Sequence, residues 1–81
     1  MAEICGTVRS SDGAPIEGVL VMGADLSYDE TDDEGNFYLP RPEMALFFWR
    51  TGFLPKARVL AAGERHVDVT LQSTAAVRTS A

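Results

Sequence analysis

The sequence predicts an all-β fold, a small seven-stranded β-sandwich. Three observations carry that expectation. Short segments with a two-residue apolar period recur along the chain, separated by turn residues roughly every 8–12 positions, as in sandwiches. The turns are chemically specific: Asp12-Gly13-Ala14-Pro15, Thr31-Asp32-Asp33-Glu34-Gly35 and Gly52-Phe53-Leu54-Pro55 each adjoin an apolar run. No window of about 11 residues keeps a helical apolar period without a Gly or Pro, so almost no helix is expected.

The elements follow in order. Ile4, Gly6 and Val8 alternate with Cys5, Thr7 and Arg9, the period of a half-buried strand. Ser10 to Pro15 turns the chain; Pro15 lacks an N–H and sits before the next strand. Val19 to Ala24 is a second strand, apolar on both faces. Ser27 to Thr31 is short and polar, which suits a sheet edge. The carboxylates of Asp32 and Asp33 can accept from nearby backbone, and Gly35 tolerates positive φ, so a tight turn opens the fourth strand, Asn36 to Leu39. Pro40-Arg41-Pro42 ends it. Ala45 to Arg50 is the fifth and most apolar strand. Thr51 to Leu54 turns, and Lys56 to Leu60 is the sixth strand. Ala61 to Glu64 turns again, and His66 to Gln72 is the seventh, with Val67, Val69 and Leu71 on one face. Residues 73–81 are small and polar and read as a flexible tail or linker after a single domain spanning 1–72.

Composition narrows the function. The chain has 81 residues, one domain's worth, and a domain of this size buries only about 60% of the surface its unfolded chain exposes. Twelve acidic against seven basic residues give a net charge of −5. That balance disfavours phosphate backbones and anionic lipid surfaces, so neither nucleic acid nor membrane insertion is expected. Cys5 is the sole cysteine, which excludes an intramolecular disulfide. The start, Met1-Ala2-Glu3-Ile4, carries no secretory pattern and no run of about 20 apolar residues exists. A cytoplasmic location is the expectation if the chain is full length.

The Thr31-Asp32-x-x-Gly35-x-Phe37 segment, together with Gly6, Val8, Gly13, Pro15, Ile16, Gly18, Val19, Val21, Gly52, Phe53, Pro55 and the alternating strand to Leu71, resembles the carboxypeptidase regulatory-like domain family. The resemblance covers about Ile4 to Leu71. It implies a seven-stranded transthyretin-like (prealbumin-like) β-sandwich with a non-catalytic accessory or binding role. Such domains are commonly appended to peptidases, outer-membrane receptors and cell-surface proteins. Related folds also host a hydroxyisourate hydrolase that relies on several histidines, and iron dioxygenases that need two His and two Tyr. His66 is the only histidine here, which argues against both.

A cysteine nucleophile needs a base within hydrogen-bond reach, and Cys5 with His66 is the only such combination. The favoured reading is a packed or half-exposed thiol and a surface imidazole, and no enzyme. Asp25, Asp29, Glu30, Asp32, Asp33 and Glu34 crowd one region, as hard cations require, but an EF-hand register with Gly35 at position six would put Arg41 at position twelve, where Glu belongs. A solvated acidic turn protecting an edge strand is favoured, with no metal and no cofactor.

The fifth strand carries large apolar groups on both faces: Ala45, Phe47 and Trp49 on one, Leu46, Phe48 and Arg50 on the other. A two-layer sandwich has only one inner face per sheet. Leu46 and Phe48, with Leu20 and Met22 of the second strand, are therefore expected to contact another chain or a covering segment, either the Pro40-Arg41-Pro42 loop or the C-terminal tail; a bulge near Pro42 would shift the register by one and exchange the two sets of the fifth strand. The expected partner is another protein or a second copy. The alternatives are a calcium- or carbohydrate-binding module and a structural spacer from a longer chain.

Overall fold

The computed structural model describes residues 3–40 and 45–74. Seven strands are present among them: β1 Ile4–Ser10, β2 Leu20–Gly23, β3 Tyr28–Glu30, β4 Asn36–Leu39, β5 Ala45–Trp49, β6 Lys56–Val59 and β7 His66–Leu71. They form a three-stranded sheet in the order β4-β1-β7 and a four-stranded sheet in the order β3-β2-β5-β6. All pairs are antiparallel except β1 with β7, which run parallel from Cys5 opposite His66 to Ser10 opposite Leu71. The all-β expectation holds, and each strand lies within two residues of its expected bounds. Of the expected tail, Ser73 bridges to Phe53 and the Thr74 N–H donates to the Gly52 carbonyl; residues 75–81 lie outside the described residues.

The core follows the period of two. The three-stranded sheet contributes Ile4, Val8, Phe37, Leu39, Val67, Val69 and Leu71; the four-stranded sheet contributes Val21, Leu46 and Phe48; the β1–β2 connection adds Ile16 and Val19. Phe37 meets Phe48 across the layers edge to face, with ring centroids 5.7 Å apart. Alternation within β7 is complete, each inward residue buried and each outward one exposed.

The two sheets are tied at one corner by Thr31. Its hydroxyl donates to the Ile16 carbonyl at 2.7 Å and accepts from the Val19 N–H at 2.8 Å. Thr31 is the one buried polar side chain among the described residues. Asp29 closes the neighbouring gap, accepting the Tyr38 N–H of β4 at 2.8 Å. Asp32 then caps the turn by accepting the Glu34 and Asn36 N–H groups, each at 2.9 Å.

Gly35 completes that turn at φ +80°, and a Cβ there would lie 2.5 Å from the Val8 carbonyl oxygen. Left-handed backbone strains any β-branched residue by about 1–2 kcal/mol, and the clash adds to it. Gly35→Val is therefore expected to destabilise the fold by about 2–4 kcal/mol, read from chemical denaturation midpoints. An unchanged midpoint would mean that the turn does not hold this conformation.

The β6–β7 turn is held by a two-pronged ion pair, Arg58 Nη1 and Nη2 to Glu64 at 3.1 and 2.7 Å. The Arg58 guanidinium, helped by the Ala61 N–H, pulls the Glu64 carboxyl down to about 2. A depressed carboxyl pKa stabilises the fold above the unfolded value of about 4.3, and that stabilisation is lost as pH falls toward 2. Melting temperature is expected to fall between pH 4.5 and pH 2, and the fall should be smaller in Glu64→Gln. Equal acid sensitivity of both proteins would contradict the pairing.

Candidate functional site

The register of β5 decides which residues the protein presents. Phe48 pairs with Val21 and Leu46 with Gly23, all facing the opposite sheet. Leu46 and Phe48 are buried at 0% and 1% exposure, so the expectation that they form the outer face is corrected. Arg50 shares their parity but lies just past the strand end. There its Nε donates to the Glu17 carbonyl at 2.8 Å and its Nη1 to the Thr51 carbonyl. A long stem lets an inward-parity arginine reach out at a sheet margin.

The outer face instead belongs to the other set. Phe47 and Trp49 are about half exposed, at 47% and 54%, beside the partly buried Ala45. Leu20 and Met22 lie on this face as expected, each half-buried: Leu20 opposite Trp49, Met22 opposite Phe47. On the flanking strands, Tyr28 stands opposite Met22, Ala57 opposite Phe47 and Val59 opposite Ala45. Tyr28 and Val59 are strongly exposed. Glu30, opposite Leu20, is the one charged residue among the paired positions of this face. Four strands thus present a continuous apolar surface. Residues 41–44 and 75–81, which include most of the proposed covering segments, lie outside the described residues.

The outer face of the other sheet is polar: Asn36 and Tyr38 on β4, Cys5, Thr7 and Arg9 on β1, His66, Asp68 and Thr70 on β7. The parallel pairing sets Cys5 beside His66 and Thr7 beside Asp68. Cys5 Sγ is 3.9 Å from His66 Nδ1, and His66 Nε2 is 3.1 Å from Asp68 Oδ1. The structure therefore brings together the two residues whose pairing the sequence reading set aside, and adds Asp68. A concavity of about 300 Å³ beside them is lined by Glu3, Ile4, Cys5, Tyr38 and Arg65. Across it, the Tyr38 hydroxyl donates to Glu3 at 2.7 Å, and this hydrogen bond to a carboxylate pushes the phenol pKa up.

Three of the six clustered acidic residues hold backbone or side-chain partners. Asp25 accepts the Ser27 N–H and hydroxyl, while Asp29 and Asp32 hold the backbone contacts described above. Among the described residues no group of three or more His, Cys, Asp or Glu side chains is placed to hold a metal ion, and no helix is long and apolar enough to cross a membrane. No protein-family model matches the chain, and no curated protein matches it.

Proposed function

We propose that the chain is a non-catalytic interaction module that docks through the outer face of its four-stranded sheet, with a second copy as the partner. The observation that carries this is the contrast between two outer faces of one domain: one polar, the other lined by Leu20, Met22, Tyr28, Phe47, Trp49 and Val59. An apolar surface spanning a whole sheet is the usual mark of a contact site. The resemblance to carboxypeptidase regulatory-like domains, and the transthyretin-like sandwich it implies, support an accessory role. The seven-stranded, two-sheet arrangement is compatible with that family.

A second copy suits the face electrostatically. The net charge of −5 would oppose association if it were spread over the contact. Along the paired strands of this face Glu30 is the only charge, so two copies can meet without opposing rows of carboxylates. A carbohydrate would find aromatic rings but few hydroxyl partners, because Glu30, the Tyr28 hydroxyl and the Trp49 indole N–H are the only side-chain hydrogen-bonding groups at those paired positions. Unmatched polar groups on a sugar disfavour that ligand.

Size sets the strength. Four strands about 4.8 Å apart and about four residues long give a projected patch of about 250 Å². Stable interfaces bury about 800 Å² per partner, so the association is expected to be reversible and concentration-dependent. Covering Phe47 and Trp49, each about half exposed, contributes roughly 1 kcal/mol apiece. Sedimentation equilibrium over a concentration series is the test. The wild type should shift from monomer toward dimer, and Phe47→Glu should stay monomeric with an unchanged melt, since Phe47 faces outward. A wild type that is monomeric at millimolar concentration would overturn self-association.

A further inference from the structure

We propose that Cys5 is a reactive thiol that forms mixed disulfides with small-molecule disulfides, with His66 as its base and Asp68 as the residue that positions the imidazole. Three observations converge. The first is the order of groups along one line on the outer face of the three-stranded sheet: Sγ of Cys5, Nδ1 and Nε2 of His66, then Oδ1 of Asp68, at 3.9 and 3.1 Å. A carboxylate can only accept, so in the neutral ring Nε2 carries the hydrogen that faces Asp68. That leaves Nδ1 with its lone pair on the side of the thiol, the tautomer a base needs. The second is access: Cys5 is exposed and belongs to the wall of the 300 Å³ concavity. The third is the wall itself, where Arg65 stands with Glu3 and offers a cation to an anionic reagent, while the Arg65 backbone carbonyl, 3.9 Å from Sγ, is a second acceptor for the thiol proton.

The geometry favours a disulfide over an acyl substrate. Acyl transfer needs donors aimed at a developing oxyanion, and the outer face of a sheet has its backbone N–H groups directed along the ladder to neighbouring strands. Thiol–disulfide exchange needs only a thiolate, an open approach and a leaving thiol. The Sγ proton passes to His66 Nδ1. The thiolate attacks one sulfur of R–S–S–R, the new Sγ–S bond forms as the old S–S bond breaks, and the departing RS⁻ takes the proton from the imidazolium. The products are Cys5–S–S–R and RSH; Cys5 is oxidised and one half of the reagent is reduced. The 3.9 Å separation is at the long end for a sulfur hydrogen bond, and such catalytic contacts commonly tighten only when the reagent is bound.

Cys5 is the only cysteine, so an aromatic disulfide that releases a coloured thiol reports on it alone. Second-order rates are measured from pH 5.5 to 8.5 for the wild type, His66→Gln and Asp68→Ala, each checked for an unchanged melt. The wild type is expected to react at least fivefold faster than His66→Gln below pH 7, with a flatter pH profile. Asp68→Ala should lie between them and move the profile toward that of His66→Gln, which a merely structural role would not do. Oxidised glutathione should add one equivalent to the wild type by mass spectrometry, and none to Cys5→Ser. Superimposable rates and pH profiles for the wild type and His66→Gln would overturn the proposal, as would an absence of adduct. The outcome is independent of the docking face, which lies on the other sheet.

Discussion

Gly6→Ala is expected to lower the melting temperature by about 12 °C or more. Gly6 sits in the middle of β1, between β4 and β7, at an inward position between Ile4 and Val8. A Cβ there would lie 1.8 Å from the Val67 carbonyl oxygen and 2.8 Å from Phe37 Cζ. The ring of Phe37 could swing aside, but the carbonyl belongs to the backbone of β7 and cannot yield without opening the parallel pairing. Overpacking a core by one methyl commonly costs about 1–3 kcal/mol, and a clash with backbone places this change at the top of that range or above. Against a net stability of about 4–12 kcal/mol for a domain this small, the loss is a large fraction of the whole. Thermal melts monitored by circular dichroism decide it. A variant melting within a few degrees of the wild type would mean that β7 does not lie against β1 at this register.

Thr31→Val is expected to destabilise by about 2–4 kcal/mol, although it conserves shape and adds apolar surface. The hydroxyl satisfies both the Val19 N–H and the Ile16 carbonyl in a buried site. Valine leaves both backbone groups unpaired and out of reach of water, and each such group costs about 1–3 kcal/mol. Thr31→Ser is the control, because it keeps the hydroxyl and removes one methyl, for about 1 kcal/mol. Denaturant midpoints should rank wild type, Ser, then Val. A valine variant as stable as the serine one would show that the hydroxyl does not bridge the corner.

Turns and periods make most of this fold legible in the sequence. Gly35 was placed at a positive-φ turn from its neighbours alone, because Asp32 and glycine have local preferences that survive in the fold. The polar sequence of β3 marked it as an edge, where it lies. Thr31 was visible as part of a motif, but its buried role was not, since its partners at Ile16 and Val19 depend on how the β1–β2 connection returns. The faces of β5 were not legible for a related reason. Both sets of side chains are apolar, so only the pairing of Phe48 with Val21 decides which is inside. Cys5 and His66 are 61 positions apart, and only the parallel β1–β7 ladder makes them neighbours. No local pattern encodes that juxtaposition.

If a second copy covers the outer face of the four-stranded sheet, Trp49 reports on it directly. It is the only tryptophan, about half exposed and opposite Leu20. Its emission and its quenching by acrylamide can be followed as the protein is diluted from millimolar to low micromolar concentration, in the wild type and in Phe47→Glu. Self-association through this face should give blue-shifted, protected emission at high concentration that becomes red-shifted and quenchable on dilution, with the variant exposed throughout. Emission and quenching that do not change across the range in the folded wild type would contradict it.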